Sequence, residues 1–331
     1  MSGINNRLLT IIIPTYNRRE EVRKNLEHTI PLVQEYQDRV SIYVSDNAST
    51  DGTGEMVREY VEKYPDIVSY YCQPENITAS PNFNHAVHAV ESEYCYILGD
   101  DDRIFAGFLP TVLCLIRKYS EVGLFHFNYI LGGSEGSKCK LQYDNLSSGE
   151  ISVFTNGRDF VFEFLDGPSF VSSNLFKRQL WIDGCSSIKE DCYGYVWYSI
   201  LLFGALPYSC LYYSQPMLIQ YFPSTVSYSK FFPLYHFCGL GRLFSFFTTS
   251  QKDIYTRWCV KLKNSWQDSL IVLTDVVRHK SYYREHKSEM YPYLCNNFFR
   301  LYYILLIYII PRCSTKILKY IIRGTKVFRK I

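Results

Sequence analysis

The sequence predicts an α/β domain built on a mostly parallel sheet flanked by helices, and three observations carry that prediction. Strand-like runs begin at Leu8, Val40, Ile67 and Glu93, spaced by 32, 27 and 26 residues, about the length of a strand–helix–strand unit. The segments between them carry apolar residues at helical spacing. The polar clusters at residues 14–18, 46–52, 76 and 100–102 each fall at the C-terminal end of such a run, the edge where open α/β sheets bind ligands.

Residues 8–13 (LLTIII) form a short continuous apolar run, the pattern of a strand buried on both faces. Pro14 follows, and is expected to end the ladder where a ligand loop begins. Val22, Leu26, Ile30 and Val33 then mark a first helix. The second strand is expected at residues 40–45, leading into Asp46, Asn47 and a Ser-Thr-Asp-Gly turn. Met56, Val57, Tyr60, Val61 and Tyr64 give the next helical stripe, and residues 67–72 a third strand. A helix over residues 81–90 returns the chain to a fourth strand, Glu93-Tyr94-Cys95-Tyr96-Ile97-Leu98, which runs through Gly99 into Asp100-Asp101-Asp102.

Beyond the triplet the patterns predict a helix over 109–119, a strand over 122–131, a loop over 132–148 and a strand over 170–176. An aromatic helix over 196–203 and a strand-like segment over 207–222 follow, with a boundary near 223–228 and mainly helical sequence to the end.

At 331 residues, with 47% hydrophobic and 20% charged side chains, the chain has ample material for a core. Aromatic residues make up 17%, which hints at amphipathic surfaces facing sugars, lipid or a partner. Eleven cysteines without regular spacing do not form a disulfide framework, so reduced thiols in a cytoplasmic setting are expected. The first residues lack the order of a secretory signal.

The formal charge of +3 is uneven: residues 290–331 hold eight basic residues and no acid, leaving the remainder net acidic. Residues 301–310 (LYYILLIYII) are too short to span a bilayer, which takes about 20. Ile317, Leu318, Ile321 and Ile322 alternate with Lys316, Lys319 and Arg323, a basic amphipathic pattern suited to an anionic membrane surface. A helix packed on the protein with a basic outer face is the alternative. No recognition motif supports nucleic acid as a partner.

The acidic triplet holds the most chemistry. In extended chain Asp100 and Asp102 share one side and Asp101 takes the other. Two carboxylates on one side suit a hard divalent cation, Mn2+ or Mg2+, with positions open for substrate phosphates. A solvated acidic turn is the plainer alternative, and the upstream blocks decide between the two.

Ile11-Ile12-Ile13-Pro14-Thr15-Tyr16-Asn17-Arg18, then Val44-Ser45-Asp46-Asn47-Ala48-Ser49-Thr50-Asp51-Gly52-Thr53, then Leu98-Gly99-Asp100-Asp101-Asp102 together resemble the family 2 glycosyltransferases of GT-A fold. The form of the triplet and residues 170–181 look most like bacterial O-antigen sugar transferases of the abequosyltransferase type. The resemblance implies an inverting transfer from a nucleotide-diphosphate sugar. It implies that Pro14, Thr15, Tyr16 and Asn17 line the nucleotide pocket, with Asp46 and Asn47 at the base. Asp100 would lie near the ribose with Asp101 beside it, and Asp102, partnered by Asp100, would hold the metal.

An inverting transfer also needs a general base for the acceptor hydroxyl. The resemblance places it downstream of the triplet, at Asp191 with Glu190 beside it; Asp166 and then Asp183 are the fallbacks. On this reading residues 1–110 form the nucleotide-sugar half, residues 111–225 the acceptor half and residues 226–331 a helical, membrane-associating extension. The expected enzyme is peripheral on the cytoplasmic face of the inner membrane and adds a sugar to a lipid-linked oligosaccharide. The rival readings are a nucleotidyltransferase of similar fold, which would normally carry a Gly-rich loop where residues 14–18 have no glycine, and a sugar-binding scaffold without activity.

Overall fold

The first two strand-like runs of the chain become adjacent interior strands of the sheet. Strand β1 (Leu9–Thr15) and strand β2 (Val40–Asp46) are buried along their whole length, because helices cover both faces. The computed structural model describes residues 7–132, 140–142, 151–164, 169–187 and 196–221. All of them belong to the first of two compact units, formed by residues 1–190 and 196–226. The expectations for Asp166, Glu190, Asp191 and the basic tail lie outside the described residues.

The remaining elements follow in chain order. Helix α1 (Arg19–Gln34) joins β1 to β2, and helix α2 (Thr53–Lys63) joins β2 to strand β3 (Val68–Cys72). Helix α3 (Ala79–Ala89) leads to strand β4 (Tyr94–Ile97), and the short strand β5 (Arg103–Ile104) precedes helix α4 (Phe108–Lys118). Then come strands β6 (Val122–Leu131), β7 (Lys140–Leu141) and β8 (Ile151–Phe154), and helix α5 (Gly157–Glu163). Strand β9 (Asn174–Lys177), helices α6 (Arg178–Ser187) and α7 (Val196–Ala205), and strand β10 (Ser209–Gln220) complete the set.

The sheet runs β3-β2-β1-β4-β9-β6-β10-β5, with β7 beside β6 and β8 beside β10. Its first four strands are parallel, as are β6 and β10. Strand β9 is antiparallel to both neighbours, β4 and β6. From β1 the chain steps outward to β2 and β3, then returns to β4 on the other side of β1. That reversal opens a crevice past the C-terminal ends of β1 and β4, the position at which sheets of this kind bind ligands.

Alternation along the strands builds the core. Leu9, Ile11 and Ile13 of β1 join Ile42 and Val44 of β2 and the α1 stripe of Val22, Leu26, Ile30 and Val33 in one buried cluster. Each such side chain contributes about 1.5–3 kcal/mol relative to exposure. The high aromatic content serves this core as well as any surface: Trp181, Tyr94, Tyr96, Tyr198, Tyr212, Phe108, Phe125 and Phe127 are all fully buried.

Three expectations need correction. Pro14 does not end β1, which continues in register with β2 through Pro14 and Thr15. Ile12 O accepts from Leu98 N–H on the β4 side and Thr15 O from Asn47 N–H on the β2 side, so by alternation the missing N–H of Pro14 faces β4. There β4 has already ended, and nothing is lost. The triplet is not extended: Asp102 N–H donates to Gly99 O at 3.0 Å and closes a tight turn, so strand alternation does not set its side chains. The strand expected over 170–176 opens instead with a 3-10 turn at Val171–Ser173.

Candidate active site

Two loops at the ends of β1 and β2 are stitched to each other. Asn17 adopts a left-handed backbone, φ 52°, which asparagine tolerates better than most residues. Its N–H donates to Ser49 Oγ at 2.8 Å, and its Oδ1 accepts from Thr50 N–H at 2.7 Å. Arg19 N–H adds a bond to Asp51 Oδ2 at 3.1 Å. Tyr16 stands clear of the stitch, 44% exposed at the crevice rim. Of the residues expected to line a nucleotide pocket, Tyr16 presents an exposed ring, and Asn17 spends its side-chain oxygen on the loop.

Asp46 is fully buried, and both its oxygens are taken. Oδ1 accepts from Ser49 N–H at 2.9 Å, and Oδ2 accepts from Tyr70 O–H at 2.8 Å. Burial, ahead of the bond to Asp46, pushes the Tyr70 phenol well up. Asn47 is also buried: its Oδ1 accepts from Ile77 N–H and its Nδ2 donates to Asn76 Oδ1. Between them and Ser49, Ala48 sits at φ 64°, a strained position for an alanine.

The β4 end is organised around charge. Asp100 Oδ2 accepts from Thr15 Oγ1–H at 2.9 Å, and Arg18 bridges Asp100 Oδ1 at 2.8 Å and Asp101 Oδ2 at 2.9 Å. Arg18, just before the first turn of α1, is committed inward to these acids. It is the internal counter-charge of the first two acids. Asp101, expected as the bystander, shares it. Burial works against the Arg18 guanidinium, and the two carboxylates outweigh it and hold the group above its ordinary range.

Asp102 is 3% exposed and has a different set of partners. Ser172 Oγ–H donates to its Oδ2 at 2.6 Å and Tyr221 N–H to its Oδ1 at 3.3 Å. The same Ser172 oxygen accepts from Gly99 N–H at 2.9 Å, tying the 3-10 turn to the triplet. Among the described residues no lysine or arginine lies within ion-pair distance of Asp102. Gly99 permits this packing, since a Cβ there would stand 2.6 Å from Asp102 Oδ2.

Burial pushes Asp100 up to about 7, against the pull of Arg18 and Thr15 and with the help of Asp101. Burial, then the Asp101 carboxylate, pushes Asp102 well above the usual carboxylate range, with Ser172 opposing. Two buried acids beside a third form a place where added positive charge is favourable. The donors are all oxygen, which suits Mg2+ or Mn2+. No group of three or more acidic, His or Cys ligands is assembled among the described residues. A cation at Asp102 would therefore draw its remaining ligands from substrate and water, the usual habit of Mg2+.

Two positioning groups were not foreseen. Asn25 of α1 is fully buried and donates to Gly99 O, Asp100 O and Asp102 O. Ser172 is the other. The available signal for Asn25 was two polar residues, Asn25 and Thr29, one helical turn apart inside an otherwise apolar stripe. Asp183, a fallback base, accepts from Tyr208 O–H and Gln179 Nε2–H, each at 2.8 Å. His85 stacks on Tyr71 with ring centroids 4.7 Å apart, and His88 Nδ1 donates to Asn84 O.

Comparison with known proteins bears on the family and the fold. Residues 10–160 match the family described as Glycosyl transferase family 2. The chain is 26% identical over 226 residues to the abequosyltransferase RfbV of Salmonella typhimurium, covering 64% of this chain and 66% of RfbV. It is 30% identical over 190 residues to glycosyltransferase GlyA of Streptococcus pneumoniae, covering 52% of this chain and 25% of GlyA. The matched segments thus span just under two thirds of the first relative and a quarter of the second.

Among solved structures, S. aureus TarS 1-349 in complex with UDP superposes with a TM-score of 0.56 at 14% identity, covering 93% of this chain and 90% of TarS 1-349. Mannosyltransferase PcManGT from Pyrobaculum calidifontis, in complex with GDP-Man and Mn2+, superposes with a TM-score of 0.54 at 17% identity, covering 90% and 85%. The fold is of the GT-A type.

Proposed function

We propose that this chain, whose residues 10–160 match Glycosyl transferase family 2, is a glycosyltransferase that moves a sugar with inversion from a nucleotide-diphosphate donor to a lipid-linked or polysaccharide acceptor of a bacterial surface glycan. The observation that carries the site assignment is Asp102: a buried carboxylate at the sheet's switch point, held by a hydroxyl and an amide and in no ion pair among the described residues.

Asp102, with Asp100, would hold Mn2+ or Mg2+, and the cation supplies charge stabilisation to the departing diphosphate. This chain's own residues do the rest. Tyr16 offers a free ring at the crevice for the nucleoside, and the loop shaped by Asn17, Asp46 and Asn47 sets where that ring stands. Thr15 and Arg18 hold Asp100 in place. Asp191, with Glu190, is the proposed base for the acceptor hydroxyl. The likeness to the abequosyltransferase RfbV supports the O-antigen class of acceptor that the motifs suggest, and the basic tail supports a cytoplasmic membrane-surface location.

The test is transfer of radiolabelled sugar by Asp102→Asn with Mn2+ present, after a thermal-shift screen of nucleotide sugars has identified the donor. Transfer should fall at least about 100-fold; full activity overturns the assignment. Deleting residues 312–331 should move the protein from the membrane to the soluble fraction, and unchanged partitioning removes the proposed location.

A further inference from the structure

We propose that Asn25 is the positioning residue of the acidic turn: its side-chain amide gathers the turn's carbonyls toward α1, so that carboxylates rather than carbonyls face the cation. The proposal rests on the reading of Asp102 as the cation's ligand. Asn25 Nδ2 lies 3.0 Å from Gly99 O, 3.3 Å from Asp100 O and 3.1 Å from Asp102 O. One NH2 group thus serves three backbone acceptors on a four-residue turn.

Its orientation is locked. Thr29 Oγ1–H donates to Asn25 Oδ1 at 2.9 Å from the next turn of the helix. A flipped amide would set its oxygen against three carbonyl oxygens and lose that bond. The grip extends along the chain, since His28 Nε2 donates to Ile104 O at 2.8 Å, and Arg103 Nη1 reaches Asp100 O at 3.3 Å and Asp102 O at 2.7 Å.

Backbone carbonyls are themselves good ligands for hard cations. With Gly99, Asp100 and Asp102 carbonyls committed to Asn25, the turn offers its carboxylates instead, to Thr15, Arg18 and Ser172. Asn25→Ala is expected to fold, because each carbonyl keeps a second donor: Asp102 N–H for Gly99 O, and Arg103 for the other two.

The experiment is Mn2+ binding to the purified full-length chain, read by the EPR signal of free Mn2+, alongside the Mn2+ dependence of transfer. Asn25→Ala should weaken Mn2+ binding about 10-fold and raise the Mn2+ needed for half-maximal transfer, with a smaller loss at saturating Mn2+. Thr29→Val, which keeps the amide and removes its lock, should shift both in the same direction by less. Val33→Ala, a core truncation at the far end of the same helix, should lower the melting temperature and leave Mn2+ binding unchanged.

If Asn25→Ala and Thr29→Val lose stability but bind Mn2+ like wild type, while Asp102→Asn does not bind it, Asn25 is a structural residue only. If Asp102→Asn itself binds Mn2+ like wild type, the reading beneath the proposal fails and the proposal with it.

Discussion

The acids at the end of β2 and those at the end of β4 lie on either side of β1, and they are treated in opposite ways. Asp46 is complete: a backbone N–H and a tyrosine hydroxyl take its two oxygens, and its work is to hold a loop shape. The β4 turn is incomplete. It crowds three carboxylates into one turn, pairs two of them with Arg18, and buries the third without an ion-pair partner among the described residues. A neutral network of donors stabilises one fixed conformation. A network short of positive charge stabilises the addition of a cation.

Changes at the β4 turn should therefore read out in transfer and cation binding, and changes at the β2 loop in stability. The largest effect is expected from Gly99→Ala. A methyl 2.6 Å from Asp102 Oδ2 must displace the carboxylate, and a shift of that size costs about 100-fold in transfer rate. Ser172→Ala comes next, removing the hydroxyl that both orients Asp102 and accepts from Gly99 N–H. Its Mn2+ affinity should fall roughly 10-fold to 100-fold. Wild-type affinity in either variant would erase the contrast.

A third test uses pH in the metal-free protein. The Asp100 carboxyl, pushed up to about 7, keeps a proton in the folded chain that the unfolded chain releases near 4. The folded state holds more protons between those values, so this group's contribution is full below about 4 and is lost as pH rises through 7. His126, pushed down to about 4 by burial, runs the other way: its contribution is present above about 6.5 and lost as pH falls toward 4. The two overlap, so the comparison must be with Asp100→Asn. From pH 5 to pH 8 that variant should gain on wild type by roughly 4 °C in melting temperature, the size of 1–2 kcal/mol in a domain of this length.

The smallest effect belongs to the β2 loop. Ala48→Gly relieves the left-handed backbone and should stabilise by about 1 kcal/mol in a denaturant titration. A loss of stability would mean that the loop is not strained as the backbone angle implies.

Much of the sheet was legible because buried parallel strands announce themselves as continuous apolar runs. The strand expected over residues 122–131 is found at Val122–Leu131, and the crevice was located from the polar ends of four such runs. What escaped was decided by contacts distant in sequence. Pro14 reads as a breaker, and only the early end of β4 shows why it is tolerated. Strand periodicity assigned the sides of the triplet, and the hydrogen bond from Asp102 N–H to Gly99 O overrode it. Asn25 is a polar residue within the apolar face of α1, and its acceptors lie 74 to 77 residues away. Ser172 lay in a segment expected to be strand, and carries no local sign that it meets an acid 70 residues earlier.

That separation bears on the order in which the protein matures. Strands β1 to β3 pair through connections of one helix each, and β4 then pairs back with β1, Tyr94 opposite Leu9. Arg18 and Thr15 can reach Asp100 and Asp101 once residue 102 has emerged. Asp102 waits for Ser172 and then for Tyr221, 119 residues further along. A chain made from its N-terminus thus holds the partners of Asp100 and Asp101 before those of Asp102, which ties the completed turn to a nearly finished sheet.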